Sequence, residues 1–134
     1  NDLDIYEDGE ETRDFVYIED AVDATILGIE KEEANGNIFN VGSGVSTRVL
    51  DVANTLKRLY NSEINITVSG KFRLGDIRHN FADLSKSKDI LGFTPKYNFE
   101  RGITEFVNWV KTQEVMEDKY EKSIQQLKNK GLIK

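Results

Sequence analysis

Cysteine is absent from the 134 residues, which excludes disulfides, thiolate metal centres and a cysteine nucleophile. The single histidine, His79, is too little for a His-rich zinc centre. Proline is confined to Pro95, and no run of eighteen apolar residues occurs, so no membrane-spanning helix is expected. No basic segment followed by an apolar stretch opens the chain, so a secretory leader is not expected either. What remains is long enough for one compact domain that buries roughly two-thirds of its unfolded surface. Hydrophobic residues make up 38% of it, which predicts a modest core.

Positive charge is also scarce at one end. Residues 1–33 hold 13 carboxylates against Arg13 and Lys31, whereas the remainder holds 11 against 16 basic side chains. An acidic first quarter argues against nucleic acid and anionic membranes as partners, since both need a dense positive field. The chain opens on Asn1, not Met, as a piece of a longer protein would.

Periodicity predicts alternating strands and helices. Phe15 to Ile18 form a β-prone run. Asp20 is placed to cap a helix in which Val22, Ile26 and Ile29 recur on one face. After the Asn35-Gly36-Asn37 break, Ile38 to Val41 spell a short buried strand ending in Gly42-Ser43-Gly44. Thr47 is a good N-cap for a helix along Val49, Val52, Ala53, Leu56 and Leu59 that ends near Asn61. Ile64 to Val68 alternate as a half-buried strand does. Asp83 is expected to cap a short helix stopped by Gly92 ahead of Pro95, and Asn98 to cap a helix buried through Phe99, Ile103, Phe106, Val107 and Val110. Tyr120, Ile124 and Leu127 are spaced for a last helix before Gly131. The alternation is that of an α/β fold.

Most catalytic constellations fail by subtraction. A Ser/His/Asp relay would have to use His79, which has only Asp76 or Asp83 nearby as an orienting carboxylate. Gly70 to Asp76 has the glycine spacing of a P-loop, but Asp76 stands where the phosphate-binding lysine belongs. Gly42-Ser43-Gly44 follows a strand and opens a helix as a dinucleotide fingerprint does, yet the third glycine is Thr47. Arginine placement is more informative. Of six arginines, Arg13, Arg73 and Arg78 fall in polar loops flanked by Gly and Asp. A guanidinium grips phosphate at two points, and two such loops converging would form a diphosphate clamp. The competing reading is that Arg13 pairs on the surface with Asp14 or Glu11.

Five blocks then occur in order: Asp8-Gly9-Glu10-Glu11-Thr12-Arg13-Asp14-Phe15-Val16-Tyr17-Ile18-Glu19-Asp20; Phe39-Asn40-Val41-Gly42-Ser43-Gly44; Arg73-Leu74-Gly75-Asp76-Ile77-Arg78-His79; Ala82-Asp83; and Leu91-Gly92-Phe93-Thr94-Pro95. Over roughly residues 5–112 the chain resembles the extended short-chain dehydrogenases, and more narrowly the C-terminal part of a nucleotide-sugar epimerase or dehydratase of the UDP-galactose 4-epimerase type. The resemblance implies the end of a Rossmann-type enzyme joined to a small α/β substrate-binding domain. Residues 1–44 would be the terminal αβ unit of the NAD-binding domain, 45–112 the nucleotide-sugar domain and 113–134 a charged C-terminal helix.

By the same resemblance, Arg13 and Arg73 would contact a diphosphate and Asn40 would hydrogen-bond the nucleotide-sugar. Asp76 would accept from the ribose hydroxyls, with Gly75 beside it in the binding loop. Glu7 replaces the glycine common before Asp-Gly, which is expected to alter only a turn. Such enzymes epimerise at C4 through a 4-keto intermediate with NAD, using a GxxGxxG turn and a Tyr-x-x-x-Lys pair. Neither is present: four places after Tyr6, Tyr17, Tyr60, Tyr97 and Tyr120 stand Glu10, Ala21, Ile64, Arg101 and Ile124. The resemblance therefore implies a cytoplasmic parent enzyme that binds a nucleoside-diphosphate sugar, allows a homodimer, and holds NAD in an N-terminal part absent from this sequence. The chain alone would be inactive. A dehydratase of the same family, or a freestanding binding module using the tail from Asp118 to Lys130, are the alternatives.

Overall fold

A computed structural model describes residues 2–114 and 117–133. Among the described residues, two small sheets and four α-helices, with two short helical turns at Glu32–Ala34 and Ser87–Leu91, make up the architecture. β1 (Leu3–Ile5) and β4 (Ile66–Val68) run parallel, with Leu3 opposite Ile66 and Ile5 opposite Val68. β2 (Thr12–Arg13) and β3 (Thr47–Arg48) form an antiparallel pair in which Arg13 faces Thr47. The helices are α1 (Ile18–Glu30), α2 (Val49–Leu59), α3 (Phe99–Val110) and α4 (Tyr120–Asn129).

The helix boundaries follow local chemistry. Asn98 accepts the Arg101 N–H at 2.9 Å and starts α3, as its cap position predicts. Asp83 accepts the Ser85 N–H at 2.9 Å ahead of the short helical turn Ser87–Leu91, which Gly92 ends in the left-handed region at φ 68°. Asn61, at φ 47°, turns the chain out of α2. Thr47 lies one residue too early to cap α2 and pairs in β3 instead, leaving Arg48 at the cap position.

Three further segments differ from their sequence pattern. Phe15 to Tyr17 form no strand; they run extended into α1, whose first helical residue is Ile18. Asp20 is not a cap. It lies inside α1, 1% exposed, and its two oxygens accept the backbone N–H groups of Lys96 at 2.8 Å and Tyr97 at 3.0 Å. Ile38 to Val41 are unpaired, because a strand exists only with a ladder partner and none of the described residues supplies one; Ile38 is 87% exposed.

Core packing centres on Ala24, Ala34, Leu91 and Phe93, with Leu27, Phe39, Leu84 and Ile90 against them. Thus α1 buries its small-residue side, while Ile18, Val22, Ile26 and Ile29 remain exposed. The periodic stripe marks a face that wants cover, and no described residue covers it. α3 likewise buries Val107 but leaves Phe106 exposed. The Arg58–Glu100 ion pair at 2.5 Å joins α2 to α3.

The loop framework rests on Asp14. One of its oxygens accepts the N–H and the hydroxyl of Ser43 at 2.6 and 2.5 Å, and the other accepts the N–H groups of Gly44 at 2.9 Å and Ala82 at 3.1 Å. This carboxylate fills the glycine turn. A Cβ on Gly42 would collide with Asp14 and stand 2.7 Å from the Ala82 Cβ, so only glycine fits there.

Candidate functional site

Arg13 leaves β2 with its guanidinium directed at the loop of residues 73–78. Nη2 donates to Asp76 Oδ1 at 2.8 Å, and Nη1 donates to the carbonyls of Thr12 and Arg78 at 2.8 and 3.1 Å. Guanidinium carries five N–H donors. The Nε–H and one Nη2–H are therefore left without a partner among the described residues. The pairing with Asp14 or Glu11 considered from sequence does not form, and Asp76 takes that place.

Arg73 is the less committed of the two. Its guanidinium lies 5.5 Å from the centre of the Tyr6 ring and makes no hydrogen bond among the described residues. The other loop arginine, Arg78, is consumed by Glu7 at 3.0 Å and Asp8 at 2.6 Å. Arg48, Arg58 and Arg101 are likewise occupied, the first two by carboxylates and the last by the Tyr97 ring. Arg13 and Arg73 line one cleft of about 350 Å³, together with Asp76, Tyr6, Glu7 and Glu11. Gly75, at φ 81°, turns the loop so that Arg73 and Asp76 both edge this cleft and the shallower groove beside it. Asn40 is not brought there; its Nδ2 donates to the Asp83 carbonyl at 3.3 Å, near the Asp14 framework.

Glu11 forms the floor. It is 6% exposed, and its Oε1 has no partner among the described residues. Burial pushes its carboxyl up, with the Glu7 and Asp8 charges adding to the effect. Burial and the adjoining Tyr120 phenol push Tyr6 up to about 12. Asp8 is held below the usual carboxylate range chiefly by the Arg78 hydrogen bond. For Asp14, burial alone would raise the pKa, but the Ser43 hydroxyl and three N–H groups outweigh it and hold the carboxyl low.

Sequence reasoning missed Tyr6, Glu11 and Tyr120, which reach the cleft only through tertiary folding. Glu7 did leave a signal. It occupies the left-handed region at φ 49°, a conformation that suits the glycine whose place it takes, and there its carboxylate reaches Arg78. His79 is structural in its contacts: its Nδ1 lies 3.0 Å from the Thr12 hydroxyl. A second, apolar cleft of about 380 Å³ lies among Phe15, Val52, Leu56, Phe99 and Ile103, where nothing charged is placed to hold phosphate.

A dinucleotide does not fit the Gly42-Ser43-Gly44 turn ahead of α2. The Gly44 and Ser43 N–H groups that would hold phosphate already hold the Asp14 carboxylate, which would repel it.

The α/β fold matches that of Rossmann-type nucleotide-sugar epimerases. A UDP-glucose 4-epimerase from Thermotoga maritima, solved with UDP-glucose, superposes with a TM-score of 0.76 at 32% identity, covering 83% of this chain and 35% of that one. A dTDP-glucose 4,6-dehydratase from Bacillus anthracis, solved with NAD, gives 0.74 at 25% identity over 85% of this chain and 36% of that one. Among curated relatives, dTDP-L-rhamnose 4-epimerase of Burkholderia thailandensis is 42% identical over 106 residues, 79% of this chain and 29% of the relative. These likenesses define the class: short-chain-dehydrogenase-type, NAD-dependent nucleotide-sugar epimerases and dehydratases. Within it, residues 2–106 match the model of the GDP-mannose 4,6 dehydratase family, and the chain belongs to that family. It spans about a third of the length of the relatives it matches.

Proposed function

We propose that this chain is the nucleotide-sugar-binding portion of a cytoplasmic, NAD-dependent nucleotide-sugar 4-epimerase, and that the Arg13–Arg73 cleft receives the diphosphate. The observation that carries the reading is the shared cleft: two guanidinium groups 60 positions apart in sequence line one cavity and both retain unused donors. Asp76, which orients Arg13, also presents a carboxylate to that cavity, the group suited to a ribose diol. Gly75 lets the loop approach closely. Asn40 lies apart from the cleft and in this reading would contact the ligand from the Asp14 framework.

Anchoring the nucleotide end in this way converts binding energy into orientation at a distant reacting carbon. NAD and the Tyr-x-x-x-Lys pair would be supplied by residues outside this sequence, so the 134 residues alone are expected to be inactive. Residues 1–44 would complete the cofactor domain, with the exposed Ile18, Val22, Ile26 and Ile29 stripe packed on it, and 45–112 would form the substrate domain. The complete enzyme is compatible with a homodimer. Dehydration is the second reading, favoured by the family whose model matches residues 2–106.

Calorimetric titration of the full-length protein with UDP and dTDP tests the clamp. Each charge-assisted bond is worth about 1.5–3 kcal/mol. Arg73→Ala and Arg13→Ala should therefore each weaken binding about tenfold or more. Unchanged affinity in either variant would refute the clamp.

A further inference from the structure

The tail of the chain lies beyond the residues matched by the family, yet it closes onto the candidate site. Asp118 accepts the Tyr120 N–H at 2.8 Å at the start of α4, and Gly131, at φ 65°, reverses the chain after it. Leu132 and Ile133 then run antiparallel to the binding loop. The Leu74 N–H donates to the Leu132 carbonyl at 3.0 Å, and Arg73 and Ile133 form a β-bridge. Ile133 is only 9% exposed, whereas α4 itself buries no residue completely. The anchored part of this segment is therefore Leu132-Ile133, paired with Arg73 and Leu74. At the other end of α4, Tyr120 joins the wall of the cleft against Tyr6, whose ring in turn lies under the Arg73 guanidinium.

We propose that residues 117–133 form a clasp that positions Arg73 for a ligand phosphate: Leu132 and Ile133 fix the loop backbone, and Tyr120 braces the Tyr6 ring on which the guanidinium rests. The clasp rests on the nucleotide-diphosphate reading of the cleft. Among the described residues no carboxylate holds Arg73, unlike Arg13 and Arg78, so its position there depends on the backbone pairing and on the aromatic wall. Loosening either leaves the charge present but spread over many rotamers, which costs affinity for the phosphates and not for the nucleoside.

The test compares UDP with uridine, titrated into the full-length protein and its variants. Ile133→Asp, and truncation after Lys130, are expected to weaken UDP binding five- to tenfold while leaving uridine within twofold. Tyr120→Ala should give a smaller loss of the same kind, and Tyr120→Phe should restore most of it. Combining Ile133→Asp with Arg73→Ala should weaken UDP binding no further than Arg73→Ala does. If Ile133→Asp loses the fold, the truncation, which places no carboxylate side chain in the buried Ile133 position, decides the matter. An unchanged UDP-to-uridine ratio in the truncated protein, with Arg73→Ala still impaired, overturns the clasp and spares the clamp. No loss in Arg73→Ala removes the diphosphate reading itself.

Discussion

Replacing Asp14 by Asn isolates the interaction on which the loop framework depends. The wild-type carboxylate offers two oxygens to four donors: Ser43 N–H and hydroxyl on one side, Gly44 and Ala82 N–H on the other. Asparagine keeps one oxygen and turns an amide NH2 towards the second pair, so two backbone donors face a donor. An unsatisfied buried group costs about 1–3 kcal/mol. Because Gly44 is exposed and water relieves part of the penalty, the total expected is about 1–3 kcal/mol. Urea unfolding followed by circular dichroism should show a midpoint lower by roughly 1 M, given slopes of about 1–3 kcal/mol/M for small domains. The pH dependence has a definite sign. Asp14 has its pKa depressed in the folded protein, so its contribution is fully present above the ordinary carboxylate value and is lost as pH falls through the lower folded value. The gap between wild type and Asp14→Asn should accordingly narrow below about pH 4. A gap under about 0.5 kcal/mol at neutral pH, or one that widens in acid, would mean that the Asp14 carboxylate does not hold the turn.

Other perturbations follow from the same contacts. Gly42→Ala should destabilise by about 1–3 kcal/mol, because its Cβ meets Asp14 and Ala82; a neutral result by thermal melting would mean that the turn can open. Asp20→Asn removes one of two acceptors for the Lys96 and Tyr97 N–H groups and should cost about 1–3 kcal/mol, read as a lower unfolding midpoint. Glu7→Gly relieves a left-handed residue and withdraws a neighbouring charge, so the Glu11 carboxyl should titrate at lower pH in a carbon-detected NMR titration; no movement would show that burial alone sets it. As a free 134-residue polypeptide, the chain should self-associate through the Ile18, Val22, Ile26 and Ile29 stripe, and Ile26→Lys with Ile29→Lys should suppress this in sedimentation.

Where sequence and structure agree, the determinants are local. Asn98 bonds the N–H three residues on, Gly92 needs a positive φ, and Asn61 ends α2, all within one turn of chain. The arginine cleft was legible because guanidinium in a Gly/Asp loop has few other uses, and Arg13 and Arg73 line one cleft. What failed required partners distant in sequence. Ile38 to Val41 have strand composition but no ladder partner among the described residues, while Leu3 to Ile5 form a strand because Ile66 to Val68 lie beside them. Asp20 resembles a cap in sequence and serves as a buried acceptor for a loop 76 residues away. The Gly-Ser-Gly turn resembles a phosphate cradle and cradles Asp14 instead, a choice that no local pattern reveals. Tyr120 belongs to the cleft only because the tail folds back.

In the proposed reading Arg13 and Arg73 together hold a diphosphate, and a crystal structure of the full-length protein with UDP checks this. Both guanidinium groups should lie within about 2.7–2.9 Å of phosphate oxygens, with Asp76 still on Arg13. A nucleotide seated in the apolar cleft beside Phe15 and Phe99, with neither arginine touching phosphate, would contradict it.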